Sequence, residues 1–271
     1  MNVLTARFRK VNLLMRKIFV VLALAMTAAG LAASSASASH SWGGYHWART
    51  ANPFGLKVGN NLSSNWTTQY NTAVSDWNTS TVMDLTSVPG TAGRRCKAVL
   101  GTVQVCNGTY GQNGWLGLAS ISISGGTHIT QATTKVNDTY FNMASYNNPN
   151  EKLHVMCQEV GHDFGLGHTS EDGSSQNTCM DYFSNTGANA GSTLSTHPNQ
   201  HDYDQLASIY AHLDSSSTIA ATSAAGPTMA DRQDTLPYQA QREDSKRFSI
   251  LTERFADGSM RLTHYTWAAG N

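Results

Sequence analysis

The chain has 271 residues, 40% of them hydrophobic and 13% charged, with 18 Lys+Arg against 18 Asp+Glu and four Cys. That length and composition exclude a disulfide-stapled mini-fold and a charge-rich disordered chain. The neutral balance hides an asymmetry: residues 1–38 hold five basic and no acidic residues, so 13 basic face 18 acidic residues beyond them, and the basic footprint of a nucleic-acid binder is missing.

Residues 1–38 read as a secretory signal, with basic residues up to Lys17, an apolar run over 18–33, and Ala36-Ser37-Ala38 as a cleavage site before Ser39. The run is short for a bilayer span. Cleavage would leave 233 residues in an oxidising, extracellular setting, free of the membrane, where Cys96, Cys106, Cys157 and Cys179 are expected to pair. Four cysteines allow three connectivities; neighbour pairing, Cys96 with Cys106 and Cys157 with Cys179, is preferred, and sequence alone does not prove it.

Along the mature chain, 45–50 and 53–58 read as strands, and Trp66, Tyr70, Ala73, Val74 and Trp77 recur at helical spacing. Segments 82–88, 98–105, 115–124 and 129–136 alternate or run apolar between Gly-rich turns, which predicts a sheet of roughly four to six strands. A second helix is predicted over 149–164, with Asn148 as N-cap, Pro149 at the first position and Glu151 at the third. A third is predicted over 201–213, with Tyr203, Leu206, Ala207, Tyr210 and Leu213 on one stripe. From Ser215 the texture becomes that of a linker, and two strand-like runs around Asp257-Gly258 suggest a hairpin that must dock or stay mobile. The expected organisation is therefore a signal over 1–38, a catalytic domain over 39–214, and a linker with a C-terminal extension over 215–271.

On the 149–164 helix, Leu153, Met156, Cys157, Val160 and Phe164 form a core-facing stripe. Gln158 and His162, four residues apart, lie together on the opposite side with Glu159 beside them. Gly165 can end the helix through a left-handed residue and let His168 swing back towards His162. Two imidazoles and a carboxylate so placed read as a metal site, in which Zn²⁺ brings the pKa of water to about 7 and polarises a carbonyl.

The segment Gln158-Glu159-Val160-Gly161-His162-Asp163-Phe164-Gly165-Leu166-Gly167-His168 resembles the H-E-x-x-H-x-x-G-x-x-H motif of metzincin zinc metallopeptidases, in particular the matrixin-like branch. Gln158 stands where the family has its first His. Cys179-Met180-Asp181-Tyr182 is similar to the family's Met-turn. The resemblance implies an α+β fold with a twisted mixed sheet, two long helices and a smaller helical C-terminal subdomain, to which the helix carrying Tyr203 and Tyr210 would belong. It implies one catalytic Zn²⁺ held by His162, His168 and Gln158, Glu159 as general base, Tyr182 at the metal or the oxyanion, and Met180 under the metal. It also implies that 115–124 is the edge strand along which an extended peptide binds. The implied function is a secreted, monomeric zinc-dependent metalloendopeptidase that hydrolyses peptide bonds in peptide or protein substrates through a metal-activated water. The alternative is a catalytically inactive secreted binding module on the same scaffold, using the cleft or the aromatics Trp42, Tyr45 and Trp47.

Three uses of Gln158 stay open: a weak neutral oxygen ligand with Tyr182 or water completing the shell, replacement by another His, or a site that has lost its metal. His154 lies two turns before His162, about 12 Å along the axis, and cannot share its ion directly. His197 and His201 are separated by Pro198 and are weak candidates. His128 reads as a solvated strand-end histidine, with a structural Ca²⁺ or Zn²⁺ as the other use. A Cys157–Cys179 bond would tie the active helix to the Met-turn and fix Met180 beneath His162. No long segment separates Ala38 from the first strand, so the matrixin type of N-terminal cysteine latch is not expected.

Overall fold

A computed structural model describes residues 39–219 and 236–268; the signal reading of 1–38 and the 220–235 part of the linker reading lie outside the described residues. The described part is α+β, with nine strands in one mixed sheet and few helices. Its elements are β1 (His46–Trp47), β2 (Phe54–Asn61), α1 (Thr67–Trp77), β3 (Met83–Pro89), β4 (Thr102–Gly108), β5 (Trp115–Ser124), β6 (His128–Asn137), the single turn α2 (Asp138–Phe141), α3 (Pro149–His162), α4 (Gln200–Ile209), β7 (Gln239–Asp244), β8 (Phe248–Arg254) and β9 (Met260–Trp267). No helix among the described residues is long and apolar enough to cross a membrane.

The strand order is β3-β2-β4-β6-β5-β9-β8-β7, with β1 pairing alongside the start of β6. The first four strands of that order are parallel to one another, and β5, β9, β8 and β7 continue antiparallel. In β2 the alternation Phe54, Leu56, Val58 inward and Gly55, Lys57 outward is that of a strand with one covered face. The helix α1 buries Tyr70, Ala73, Val74 and Trp77, and packs against α3, where the Trp77 indole donates to the Cys157 carbonyl at 3.1 Å. Burying such an apolar body is worth about 2–3 kcal/mol, and the indole N–H keeps a partner while doing so. Disulfides join Cys96 to Cys106 and Cys157 to Cys179.

Five expectations change. The described sheet has nine strands rather than four to six, because the C-terminal strands β7–β9 join it. Only His46 and Trp47 of 45–50 form a strand, because the chain then turns so that Arg49 can reach Asp214. The last helix stops at Ile209 rather than 213: the carbonyls of Tyr210 and His212 are taken by the side chains of Asn52 and Arg49. Trp42 and Trp47 are buried, so they offer no aromatic platform to a ligand. Finally, 115–124 is a strand but not an edge, since β9 pairs with it from Trp115↔Trp267 to Ile123↔Met260. The C-terminal hairpin is docked, and β7, with every residue exposed, is one outer strand of the sheet.

Candidate metal centre

The helix α3 starts as its sequence dictates: the Asn148 side chain accepts from the Glu151 amide at 2.8 Å, with Pro149 at the first position, a cap worth about 1 kcal/mol. After His162 the chain turns back at Gly165, whose φ of 89° is costly for any other residue and whose added Cβ would meet the Tyr45 carbonyl. His168 thereby returns to His162, with the two Nε2 atoms 3.0 Å apart.

The third imidazole comes from the far end of the chain. Residues paired across an antiparallel ladder share a face, so Ala119↔His264 and Gly117↔Thr266 aim both hairpin side chains at α3. His264 is fully buried, and its ring centroid lies 4.2 Å from that of His162 and 4.8 Å from that of His168. The Tyr182 hydroxyl sits between two of the rings, 2.6 Å from His168 Nε2 and 2.7 Å from His264 Nε2.

Two of the rings are oriented through their other nitrogen. His162 Nδ1 donates to the Leu166 carbonyl at 2.8 Å and His264 Nδ1 faces Glu159 Oε2 at 3.1 Å, whereas His168 Nδ1 has only the exposed Glu171 carboxylate at 3.8 Å. The first two contacts fix the tautomer and leave Nε2 as the donor atom. Burial pushes His162 and His264 down to about 3 and His168 well below its ordinary value, so all three are neutral bases near pH 7. Burial pushes Glu159 up to about 7 against the opposing pull of His162 and Thr266, and raises the Tyr182 phenol well above its ordinary value. Three neutral imidazoles and a phenol oxygen suit a borderline-soft divalent ion such as Zn²⁺.

Gln158 does not join this set. Its amide nitrogen donates to the carbonyls of Cys179 and Asp181 at 3.1 and 2.7 Å, and its Oε1 is 3.0 Å from the Thr266 hydroxyl. The same hydroxyl is 2.6 Å from Glu159 Oε1. The reason is positional: α3 runs against the Cys179–Asp181 turn, to which its Cys157 is bonded, and those carbonyls need donors in a buried place.

Met180 is buried against α3, and an added Cβ at Gly161 would come within 2.5 Å of its sulfur, so this helix position admits only glycine without a shift. His154 holds the same turn from α3, with Nδ1 3.1 Å from Asn185 Oδ1 and Nε2 3.2 Å from the Asp181 carbonyl. Trp42 and Phe248 wall the imidazoles, their ring centroids 5.4 Å from His162 and 5.1 Å from His168 respectively. Beside the site a cavity of about 500 Å³ is lined by Leu116, Glu151, His154, Gln158, Tyr182 and Trp267 among others.

Of the other histidines, His197 pairs with Asp76 at 2.6 Å, and His201 stacks on His40, whose Nε2 is 3.5 Å from Asp202 Oδ1. His264 is the member of this cluster that motif reading passes over. Its signal is the alternation Leu262, His264, Thr266 in the last strand, which puts a histidine on the same face as a core leucine. Comparison with protein-family models finds no match, and comparison with curated proteins finds none either.

Proposed function

We propose that the chain is a secreted zinc-dependent endopeptidase of metzincin type, held at rest by its own strand β9. The observation that carries the reading is the convergence of His162, His168 and His264 beside Glu159, with β9 laid antiparallel along β5. An extended peptide would use that same backbone edge, so β9 stands where substrate would lie. When bound by these imidazoles, zinc supplies polarisation of the scissile carbonyl and acidification of water.

The rest falls to the chain's own side chains. Glu159 takes a proton at its carboxylate from the attacking water and returns it to the leaving amine nitrogen. Tyr182 donates from its hydroxyl to the developing oxyanion. The adjoining cavity receives one substrate side chain. At rest β9 engages each of these groups: His264 and Thr266 hold Glu159, His264 holds Tyr182, and Thr266 occupies Gln158 Oε1. Displacing β9 releases them together and gives Gln158 Oε1 the chance to replace His264. Two disulfides support an oxidising destination.

The test is cleavage of a mixed fluorogenic peptide pool by the zinc-supplied full chain, by His264→Ala/Thr266→Val, and by that pair with Glu159→Ala added. The pair should cleave faster than the parent, and the triple variant should not cleave. If none of the forms cleaves, or if the triple variant equals the pair, the reading is wrong. A second reading, a non-catalytic module whose metal is permanently completed by His264, is favoured by the Nε2 placement of that residue; it predicts that His264→Ala loses metal and never gains activity.

A further inference from the structure

A second histidine cluster is built from three chain segments: β1, the start of β6 and the stretch that follows α4. His46 lies on β1, His128 starts β6, and His212 and Asp214 follow α4. His46 Nε2 is 3.4 Å from Asp214 Oδ1, His128 Nε2 is 3.2 Å from the same oxygen, and His212 Nε2 is 3.6 Å from it and 3.1 Å from His46 Nε2. The rings of His128 and His212 meet that of His46 edge-on, at centroid distances of 5.2 and 4.6 Å.

The hydrogen bonding of His46 leaves its converging nitrogen as an acceptor. His46 Nδ1 is 2.9 Å from the Gly44 carbonyl, which can only accept, so a neutral His46 carries its hydrogen there and turns a lone pair towards Asp214. The other carboxylate oxygen, Oδ2, is taken by the Arg49 guanidinium at 2.9 Å and the Arg49 amide at 3.1 Å. Arg49 is itself fixed by Asn52 and by the His212 carbonyl. Asp214 therefore presents Oδ1 to the ring nitrogens, and the His46 lone pair faces that oxygen at 3.4 Å, an arrangement that a cation between them stabilises.

Spacing selects the ion. In a tetrahedral shell with bonds of about 2.0–2.1 Å, adjacent donors lie about 3.3–3.4 Å apart. The three distances among His46 Nε2, His212 Nε2 and Asp214 Oδ1 are 3.1, 3.4 and 3.6 Å and bracket that value. Two imidazoles and one carboxylate are donors of zinc, whereas calcium takes six to eight oxygens. We propose that His46, His212 and Asp214 form a zinc site with a structural role, separate from the centre on α3, with His128 beside it on Asp214. It fastens the strand that opens the described chain to the stretch after α4. That stretch is also tied to β1's continuation by Thr218, whose amide donates to the Ala48 carbonyl at 3.0 Å.

The experiment uses the full chain with His162→Ala and His168→Ala, so that the α3 centre is disabled, purified after growth in zinc and dialysed without chelator. One zinc per chain should remain by elemental analysis, and adding His212→Ala, a side chain about half exposed, should remove it. Chelator should lower the Tm of the first variant by roughly 5–10 °C, and of the second hardly at all, since a ligand that binds only the folded state stabilises it by mass action. Cobalt in place of zinc should give tetrahedral absorption bands in the first variant only. If the first variant retains no zinc and its Tm ignores both chelator and added zinc, the proposal is wrong. Retained zinc that survives His212→Ala together with His46→Ala would also overturn it.

Discussion

The two histidine clusters share donors but differ in spacing and in what surrounds them. In the distal one, donors stand 3.1–3.6 Å apart, and Arg49 neutralises the free side of the only carboxylate. In the one on α3, ring nitrogens and the Tyr182 oxygen close to 2.6–3.0 Å, and the carboxylate of Glu159 stands outside the shared point, behind the His264 ring. A carboxylate among the donors is committed to the ion. A carboxylate held one ring away, with its side-chain partners His264 and Thr266 on β9 and a backbone partner at Ala119 of β5, is a proton acceptor in reserve. The first arrangement suits holding segments together and the second suits chemistry.

The comparison breaks most easily at Glu159. In the His264→Ala/Thr266→Val background, Glu159→Gln should cut peptide hydrolysis by about 10²–10⁴-fold while leaving bound zinc unchanged, read from initial rates and metal content. Equal rates would reduce the α3 centre to a second structural site.

Next in size is the covalent tether that only the α3 centre has. Replacing Cys157 and Cys179 by Ala opens a loop of 22 residues and should cost about 3 kcal/mol in denaturant unfolding. The same change should loosen the turn that carries Met180 against Gly161 and weaken zinc retention at the α3 centre, with the distal cluster keeping its ion.

A third change probes the path between the clusters. Asp202, in the first turn of α4, accepts from the Thr178 hydroxyl just before the Met180 turn, and α4 leads on to His212 and Asp214. Burial pushes its carboxyl from 3.8 up to about 6, with Thr178 and the Asn199 amide opposing. A folded pKa above the unfolded one means that the contribution to stability is complete below about pH 4 and is lost as pH rises through 6. Between pH 4 and 7 the stability of Asp202→Asn relative to the parent should therefore rise by about 2–3 kcal/mol, measured by urea unfolding. A flat difference would mean that Asp202 is ionised throughout.

The smallest effect is the release of β9 itself. His264→Ala/Thr266→Val should raise cleavage by about tenfold, because six of the remaining β9 residues still pair with β5 and the displaced state stays a minority. A fall in activity together with loss of zinc would move His264 from a resting contact to an obligatory ligand.

Much of the α3 site was legible because it is local. The Asn148 cap, the Glu159–His162 spacing and the left-handed Gly165 each act over a few residues, and the chain obeys them. The same holds for α1, whose apolar spacing matches its buried face, and for the hairpin around Asp257-Gly258. Illegible were the contacts separated by most of the chain. Nothing in the period-two pattern of β9 says which strand it joins, and His264 is 105 residues from Glu159. The distal cluster is harder still, since His46 and Asp214 are 168 residues apart and each alone reads as an ordinary polar residue.

The amino-acid order by itself determined the helix that carries Glu159 and His162, the turn that returns His168 and the apolar alternation of most strands. These follow from backbone geometry, capping and periodicity, which are properties of short stretches. Only the tertiary structure decided that Gln158 serves two turn carbonyls, that β9 covers β5 and brings His264 to the imidazoles, and that the distant His46 and His128 meet Asp214. Those outcomes depend on which surfaces bury one another and which buried polar atoms then need partners, and that is settled when the whole sheet is assembled.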